Sequence, residues 1–335
     1  MKYPLVRQWL MDHAGLEPSL LDGPGFESLV SLRIASQRAM NEAMYVATLE
    51  RMPEEVDQLT AGIAVPETWL FRYPRSFDLL VEFLQRRLAA NERENRALQM
   101  CSIGCATGQE PYSMAMCALH AGWPASHVQV TGIDRNQDFL RAARAAEYGS
   151  ASVRTEIPSW AMQYLRHSDE CIGIDPAVQA MVQFAQADIS QPNAFDALPP
   201  CDVIFCRNVL IYLNTDVRGR LLEAIANMLT PDGLLFVGHA EQMIRPAHQM
   251  QALRPIPIAH AFALERVTAE LQRNERAPEI VIPSARQLHQ LTPRNDRTME
   301  PVAPQAVAPP SRLGVGAARE ETLDDARALA DAGRT

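Results

Sequence analysis

The stretch Leu98-Gln-Met-Cys-Ser-Ile-Gly-Cys-Ala-Thr-Gly108 decides the fold of this 335-residue chain. Its first six residues are a short apolar run without helical period, ended by Gly104, and they read as a buried strand. Gly104 and Gly108 bracket a tight turn, and Glu110–His120 follows with the spacing of a helix. The alternation repeats at Val128–Ile133 and Gln137–Ala146, so the segment is βαβα, the pattern of a parallel, doubly wound α/β sheet. Such sheets bind ligands at the carboxyl ends of their strands, and glycines at 104 and 108 carry no Cβ to block a close approach. The loop is not a GxGxxG fingerprint, because its centre is Ala106, which fits a ligand lacking a pyrophosphate. Taken alone, the loop also has the plainer reading of a tight turn with a helix cap.

Working outward, residues 147–182 lose the rhythm and hold short β-like runs, so a small insertion is expected, placed at about 150–187. Regularity resumes with the strand Asp202–Cys206, a helix capped by Thr215 or Asp216 and running to about Leu229, the turn Pro231-Asp-Gly233, the strand Leu234–Gly238 and a closing strand at His260–Glu265. Upstream, residues 1–65 read as helices only, with Leu5, Val6, Trp9 and Leu10 on one face and Phe26, Leu29, Val30 and Ile34 on another. Residues 66–82 form a linker reaching the site, and 83–268 the doubly wound domain. Residues 269–318 are polar and rich in proline, with Pro301, Pro304, Pro309 and Pro310, and read as a disordered linker. Residues 319–335 are helical again and resemble the first helix of a tetratricopeptide repeat. One such helix cannot bury its own face, so the chain is expected to break off where a stack of repeats begins.

Composition excludes several partners. With 47% hydrophobic and 21% charged residues the chain is of ordinary globular make-up, and its formal net charge of −9 disfavours a phosphate backbone, so no nucleic acid is expected. The six cysteines form no CxxC pair and mostly lie in apolar runs, as small buried hydrophobes of a reducing cytoplasm do. There is no secretory pattern at the amino terminus, and no apolar run reaches the roughly 18 residues a membrane span needs. A cytoplasmic protein with no direct membrane insertion is expected.

The polar residues at strand ends have paired readings. Glu110 with Thr107 has the spacing of a capping box, and alternatively its carboxylate faces a cationic group of a ligand. Asp134 ends the second strand, where an acidic residue accepts ribose hydroxyls, or it opens an Asx turn. Asp188 follows the apolar run Met181–Ala185 and is either a rim residue beside a base or an ordinary loop aspartate. In Cys201-Asp-Val-Ile-Phe-Cys-Arg-Asn-Val-Leu-Ile-Tyr-Leu213, Arg207 and Asn208 interrupt an apolar run at the carboxyl end of a strand. Tyr212, four residues after Asn208, either presents its hydroxyl to the same cleft or is a hydrogen-bonded core tyrosine.

Together, Glu67-Thr-Trp-Leu-Phe-Arg72, Gly104-Cys-Ala-Thr-Gly-Gln-Glu-Pro-Tyr-Ser113, Phe205-Cys-Arg-Asn-Val-Leu-Ile-Tyr212 and Pro231-Asp-Gly-Leu-Leu-Phe-Val-Gly-His239 resemble, in order and spacing, the chemoreceptor glutamate methyltransferase family called CheR. The resemblance covers about residues 5–267, and the tail resembles the subgroup with C-terminal tetratricopeptide repeats, including the WspC type of surface-sensing, biofilm-regulating pathways. It implies a class I S-adenosylmethionine-dependent methyltransferase fold with a helical, receptor-recognising N-terminal domain and an inserted antiparallel β-subdomain. It implies S-adenosylmethionine as cofactor, S-adenosylhomocysteine as product, and no metal. Carried over by position, Thr68, Arg72, Glu110, Asp134, Asp188, Ile189, Arg207 and Asn208 contact the cofactor, joined by Gly104 of the glycine loop. Arg72 and Tyr212 fall next to the transferring methyl. The implied partner is the cytoplasmic helical domain of a methyl-accepting receptor, whose glutamates become methyl esters. Further protein partners through the repeats, recruitment to receptor clusters and a monomeric state are also expected.

Some positions depart from the family. Pro66 stands where a polar side chain touches the cofactor, and Leu70 replaces an aromatic. Residues 1–65 hold five basic and nine acidic side chains, where the family offers a basic helix, so Arg33 and Arg38 are the expected receptor contacts. The segment Arg166–Gly173 is compact and lacks a glycine-rich loop, so no grip on a receptor's peptide tether is expected. Competing functions fit less of the chain. A DNA amino-methyltransferase would carry its Pro-Pro-aromatic motif after the fourth strand, whereas Pro199-Pro200 precede it. A small-molecule O-methyltransferase leaves the helical front unexplained, and a non-catalytic S-adenosylmethionine-sensing adaptor leaves Arg72, Arg207, Asn208 and Tyr212 without a purpose.

Overall fold

The computed structural model describes residues 2–64, 67–91, 96–168, 171–243 and 252–267. The front of the chain forms α1 (Pro4–His13), α2 (Pro24–Ser36), α3 (Glu42–Leu49) and α4 (Pro53–Ile63), followed by α5 (Pro74–Asn91). Four of these begin on proline, whose fixed φ and missing N–H suit the first helical turn. The exception, α3, is capped by Asn41, whose side chain accepts the Met44 N–H at 3.0 Å. Leu10, Val30, Tyr45 and Leu59 form the centre of a separate helical core. Within it the buried carboxylate of Glu55 accepts from Arg33 Nε at 2.8 Å, the Tyr45 hydroxyl at 2.6 Å and Gln37 Nε2 at 2.6 Å. Arg33, an expected receptor contact, is therefore committed internally, while Arg38 is exposed.

Next come β1 (Leu98–Ile103), α6 (Gln109–His120), β2 (Val128–Asp134) and α7 (Gln137–Ala145). A small antiparallel sheet follows, built from β3 (Glu147–Tyr148), β4 (Leu165–His167) and β5 (Ile172–Ile174) in the order β3-β5-β4. The chain continues through the single turn α8 (Pro176–Gln179) to β6 (Val182–Gln186), β7 (Cys201–Cys206), α9 (Thr215–Met228), β8 (Leu229–Val237), β9 (Leu253–Pro255) and β10 (Ala263–Arg266). The main sheet runs β6-β2-β1-β7-β8-β10-β9. Its first five strands are parallel, and β10 is antiparallel to both its neighbours. Alternate residues face opposite cores: Met100, Val203 and Phe205 pack with α5 and α6, while Cys101, Ile103 and Ile204 pack with Leu221, Leu222 and Ile225 of α9. Burial on both faces explains the near-continuous apolar strands.

Several expected boundaries shift. The insertion does not extend to 187, because Val182–Gln186 pairs with β2 and is the edge strand of the main sheet. Asn214, not Thr215 or Asp216, caps α9, its side chain accepting the Val217 N–H at 3.0 Å. The closing strand starts later than His260, at Ala263. Pro66, the proline-rich linker and the repeat-like tail lie outside the described residues. Among the described residues no helix is long and apolar enough to cross a membrane.

Candidate functional site

The carboxyl ends of β1, β2, β6 and β7 open into a cavity of about 380 Å³. Its lining includes Thr68, Arg72, Gly104, Glu110, Asp134, Asp188, Ile189, Arg207, Asn208 and Tyr212, the positions expected to contact the cofactor or the methyl. Asp57, Thr60, Ala61 and Ala64 at the end of the helical front, with Ala14 and Leu16, close one wall.

The loop after β1 is fixed first. The N–H groups of Gly104 and Cys105 both donate to the Ile133 carbonyl, at 2.8 and 2.9 Å, tying the loop to the end of β2. Gly104, Ala106 and Gly108 all have positive φ, at 71°, 46° and 92°. A Cβ on Gly104 would run into Val209, and one on Gly108 would sit 2.8 Å from Ala143 Cβ. Packing within the chain and the left-handed backbone each call for glycine at both positions. The capping box is not formed either: Gly108 is the N-cap of α6, with no side-chain cap. Glu110 points back under the loop, accepting from the Ser102 hydroxyl at 2.7 Å and from Arg207 Nη1 at 3.3 Å. Burial raises its pKa, with Arg207 and Ser102 opposing the shift.

Arg207 leaves the end of β7 into a cage of aromatic rings, its Cζ 4.5 Å from the Tyr73 centroid and 5.5 Å from that of Phe205. Burial lowers its pKa to about 10, which still leaves it cationic at neutral pH. Its Nη2 donates to the Arg72 carbonyl, joining β7 to the segment before α5. Asp134 is held by two backbone donors, Ala106 N–H at 2.9 Å on one oxygen and Asn136 N–H at 2.9 Å on the other. The second bond is the Asx turn, so this aspartate adopts that geometry and also faces the cavity. Burial raises its pKa as well. Asp188 accepts from the Ser190 hydroxyl at 2.7 Å and pairs with Arg135 at 3.3 Å. Arg135 reaches on to Asp57 of α4 at 3.1 Å, so one guanidinium bridges the helical front and the rim at β6.

Sequence reasoning missed Glu241. Its carboxylate is buried in the short helical turn after β8 and accepts five backbone N–H groups. These come from Asn208 at 2.9 Å, Val209 at 2.7 Å, Leu210 at 2.7 Å, Ile211 at 3.4 Å and Gly238 at 2.6 Å. A single carboxylate thus holds the loop that carries Asn208, at φ 59°, and Tyr212. The loop's far side is tied to the helical front, where Glu17 N–H donates to the Tyr212 carbonyl at 2.9 Å and the ring packs against the helical core. Burial raises the Tyr212 pKa, so its hydroxyl stays protonated.

Arg72 Nε, Arg207 Nε and Asn208 Oδ1 are buried without hydrogen-bond partners. All three residues line the cavity. Unpaired buried polar atoms are costly, and here they mark where a polar ligand belongs. An ammonium fits Glu110 and Asn208 Oδ1, and a ribose fits the remaining acceptor capacity of Asp134 and Asp188. These residues suit S-adenosylmethionine.

Counting only the strands of the main sheet, the order is 3-2-1-4-5-7-6 with the seventh antiparallel, and the cavity lies over the switch between the first and fourth. Fold and site together define a class I S-adenosylmethionine-binding methyltransferase domain. The family model described as CheR methyltransferase, SAM binding domain, matches residues 66–257. Over 277 residues the chain is 32% identical to the probable biofilm formation methyltransferase WspC of Pseudomonas aeruginosa, covering 83% of this chain and 64% of that protein. It is 31% identical over 259 residues to the WspC of Pseudomonas putida, covering 77% and 60%. It is 28% identical over 231 residues to chemotaxis protein methyltransferase 2 of Pseudomonas aeruginosa, covering 68% and 81%. The chain belongs to the CheR methyltransferase family, and it spans less than two thirds of the length of the two WspC proteins.

Proposed function

We propose that this protein transfers a methyl group from S-adenosylmethionine to glutamate side chains of a chemoreceptor-like signalling protein, forming methyl esters that tune chemosensory or surface-sensing output. The observation that carries the reading is the meeting of Arg72 and Tyr212 with Glu110, Arg207 and Asn208 around one cavity. S-adenosylmethionine, when bound, supplies an electrophilic methyl group on a sulfonium.

The protein's residues bind and orient. Glu110, held by Ser102 and Arg207, provides a fixed negative charge for an ammonium, and Asp134 and Asp188 accept hydroxyl donors. A substrate glutamate is already ionised at pH 7, so no general base is required. With the donor bound, that glutamate's carboxylate oxygen would take the methyl group, the C–S electron pair leaving with sulfur. Arg72 presents a planar fork that orients this carboxylate, and Tyr212 aims it through its protonated hydroxyl. Charges cancel during the transfer, so the apolar wall of Ala14, Leu16 and Ile211 favours it by keeping water out. The helical front is the receptor-facing part in this reading, and the protein acts in the cytoplasm at receptor clusters, with further partners bound through the segment beyond residue 318.

The test is transfer of labelled methyl to cytoplasmic receptor fragments, scored as methanol released by alkali. Wild-type protein yields base-labile label, Tyr212→Phe lowers kcat with unchanged cofactor affinity, and Arg72→Ala abolishes transfer. Cofactor binding without label on any cognate receptor would replace this reading with a non-catalytic adaptor.

A further inference from the structure

Glu67, Trp69 and Arg72 of the cavity lining meet Arg154, which lies outside that lining. The two oxygens of Glu67 reach two different arginines: Oε2 lies 3.9 Å from Arg72 Nη2, and Oε1 pairs with Nη1 of Arg154. Both guanidiniums lie over the Trp69 ring, with Cζ 4.5 Å and 5.2 Å from its centroid. Arg154 follows the segment after β3, which is pinned at the rim by Leu70 N–H donating to the Ser152 carbonyl at 3.0 Å and by Gln109 Nε2 donating to the Ser152 hydroxyl at 3.0 Å. The anchor is buried, but the Arg154 side chain itself is 46% exposed and the Glu67 side chain 52% exposed. Trp69 Nε1 is buried without a partner, as is Arg72 Nε.

Two guanidiniums converging on one carboxylate, backed by an indole, make a recognition site for a carboxylate. Here the chain fills that site with its own side chain: the contact to Arg72 exceeds hydrogen-bond length, and the close pair with Arg154 joins two half-exposed side chains, whose attraction solvent screens. We propose that Glu67 is an internal stand-in for the substrate glutamate, and that Arg154 is a specificity-determining residue that grips the incoming carboxylate together with Arg72 once Glu67 turns out. The inference rests on the reading of this chain as a glutamate methyltransferase and adds how the target is chosen. A glutamine, with no charge to offer the two guanidiniums, does not displace Glu67, so the site selects glutamate over its amide. Glu67→Gln keeps the backbone carbonyl that Arg72 Nη1 donates to and removes only the competing charge.

The experiment uses the full chain as wild type, Arg154→Ala, Arg154→Lys and Glu67→Gln, with a helical peptide bearing a Glu-Glu pair and its Gln-Gln counterpart. Methyl-ester formation is followed beside calorimetric binding of each peptide in the presence of S-adenosylhomocysteine, a readout independent of turnover. Arg154→Ala is expected to raise KM and Kd for the Glu-Glu peptide about 5- to 10-fold, with kcat and affinity for S-adenosylhomocysteine held within about twofold. Arg154→Lys restores part of the loss, and Glu67→Gln lowers KM about threefold. An unchanged KM in Arg154→Ala, or a raised KM in Glu67→Gln, overturns this inference and leaves the methyltransferase reading intact. Absence of base-labile label with the wild type overturns both.

Discussion

Arg207 Nη1 stands 3.3 Å from Glu110 Oε2, with the arginine side chain 1% exposed and the glutamate 14%. The pair links the end of β7 to the start of α6 across the cavity floor. A buried ion pair brings little net stability, because desolvation offsets the attraction, and its usual value lies in fixing charge where a ligand needs it. Here burial raises the carboxylate's pKa and the guanidinium beside it opposes that shift.

Acidification therefore weakens cofactor binding at a higher pH than an ordinary carboxylate would. Burial raises the pKa of Glu110 and of Asp134 in the free protein, so falling pH protonates both before an exposed glutamate or aspartate titrates. Protonation removes the negative charge that attracts an ammonium, so affinity for S-adenosylmethionine falls. Glu110→Gln is expected to weaken binding about 10-fold or more at pH 7 and to flatten the acid limb, as measured by calorimetry across pH. Affinity that rises on acidification would sink the assignment.

Glu241→Gln tests the loop anchor. The amide keeps one acceptor oxygen and turns an NH2 toward backbone donors, so several of the five bonds are lost in a buried place. A loss of roughly 2–4 kcal/mol in stability is expected, read from urea midpoints. Because the anchored loop carries Tyr212, kcat should drop further than affinity for S-adenosylhomocysteine does. A variant with full stability and full kcat would show the anchor to be dispensable.

Gly104→Ala places a methyl group against Val209 at a φ of 71°. Left-handed backbone costs a non-glycine residue about 1–2 kcal/mol, and overpacking adds about 1–3 kcal/mol. Adding Val209→Ala to it should recover the packing part and leave the backbone part, which thermal unfolding of the single and double variants separates. Recovery of all the lost stability would mean that the backbone conformation is not strained.

Asp57 gives a stability prediction of definite sign. Burial raises its folded pKa, with Arg135 opposing. The folded state then binds this proton more tightly than the unfolded state, so the contribution of Asp57 to stability declines as pH rises from its ordinary value through the raised one. Asp57→Asn removes that dependence and costs no more than about 1 kcal/mol at pH 7 despite breaking the Arg135 contact. A loss of several kcal/mol in denaturant titrations would mean that the pair, and not the burial, dominates.

The alternation of strand and helix from Leu98 to Ala145 was legible because each element is long and buried on a definite face. Arg207 and Asn208 stood out because charge and amide break an apolar run. The edge strand Val182–Gln186 was misread, since only its first residue is buried and its apolar period is weak where it follows the small antiparallel sheet. Glu110 has capping-box spacing, yet spacing alone does not reveal that Gly108 turns left-handed and takes the cap position itself. Glu241 offered no signal: four of its five partners are backbone groups 30 to 33 residues upstream, brought near by the parallel pairing of β7 with β8. Asp57 lay hidden for a similar reason, as an ordinary helix carboxylate until Arg135 arrives from the end of β2.

One wall of the cavity belongs to the helical front, and the Tyr212 carbonyl is bonded to Glu17 of that same front. A ligand in the cavity therefore touches residues 2–64 directly, and any preference it has for one arrangement of them is shared with whatever those residues hold. Whatever factor a bound donor contributes to the grip of these helices on a partner, the partner must return to the donor's affinity, because linkage is reciprocal. In the function proposed above, donor supply and partner supply would meet in this one set of helices.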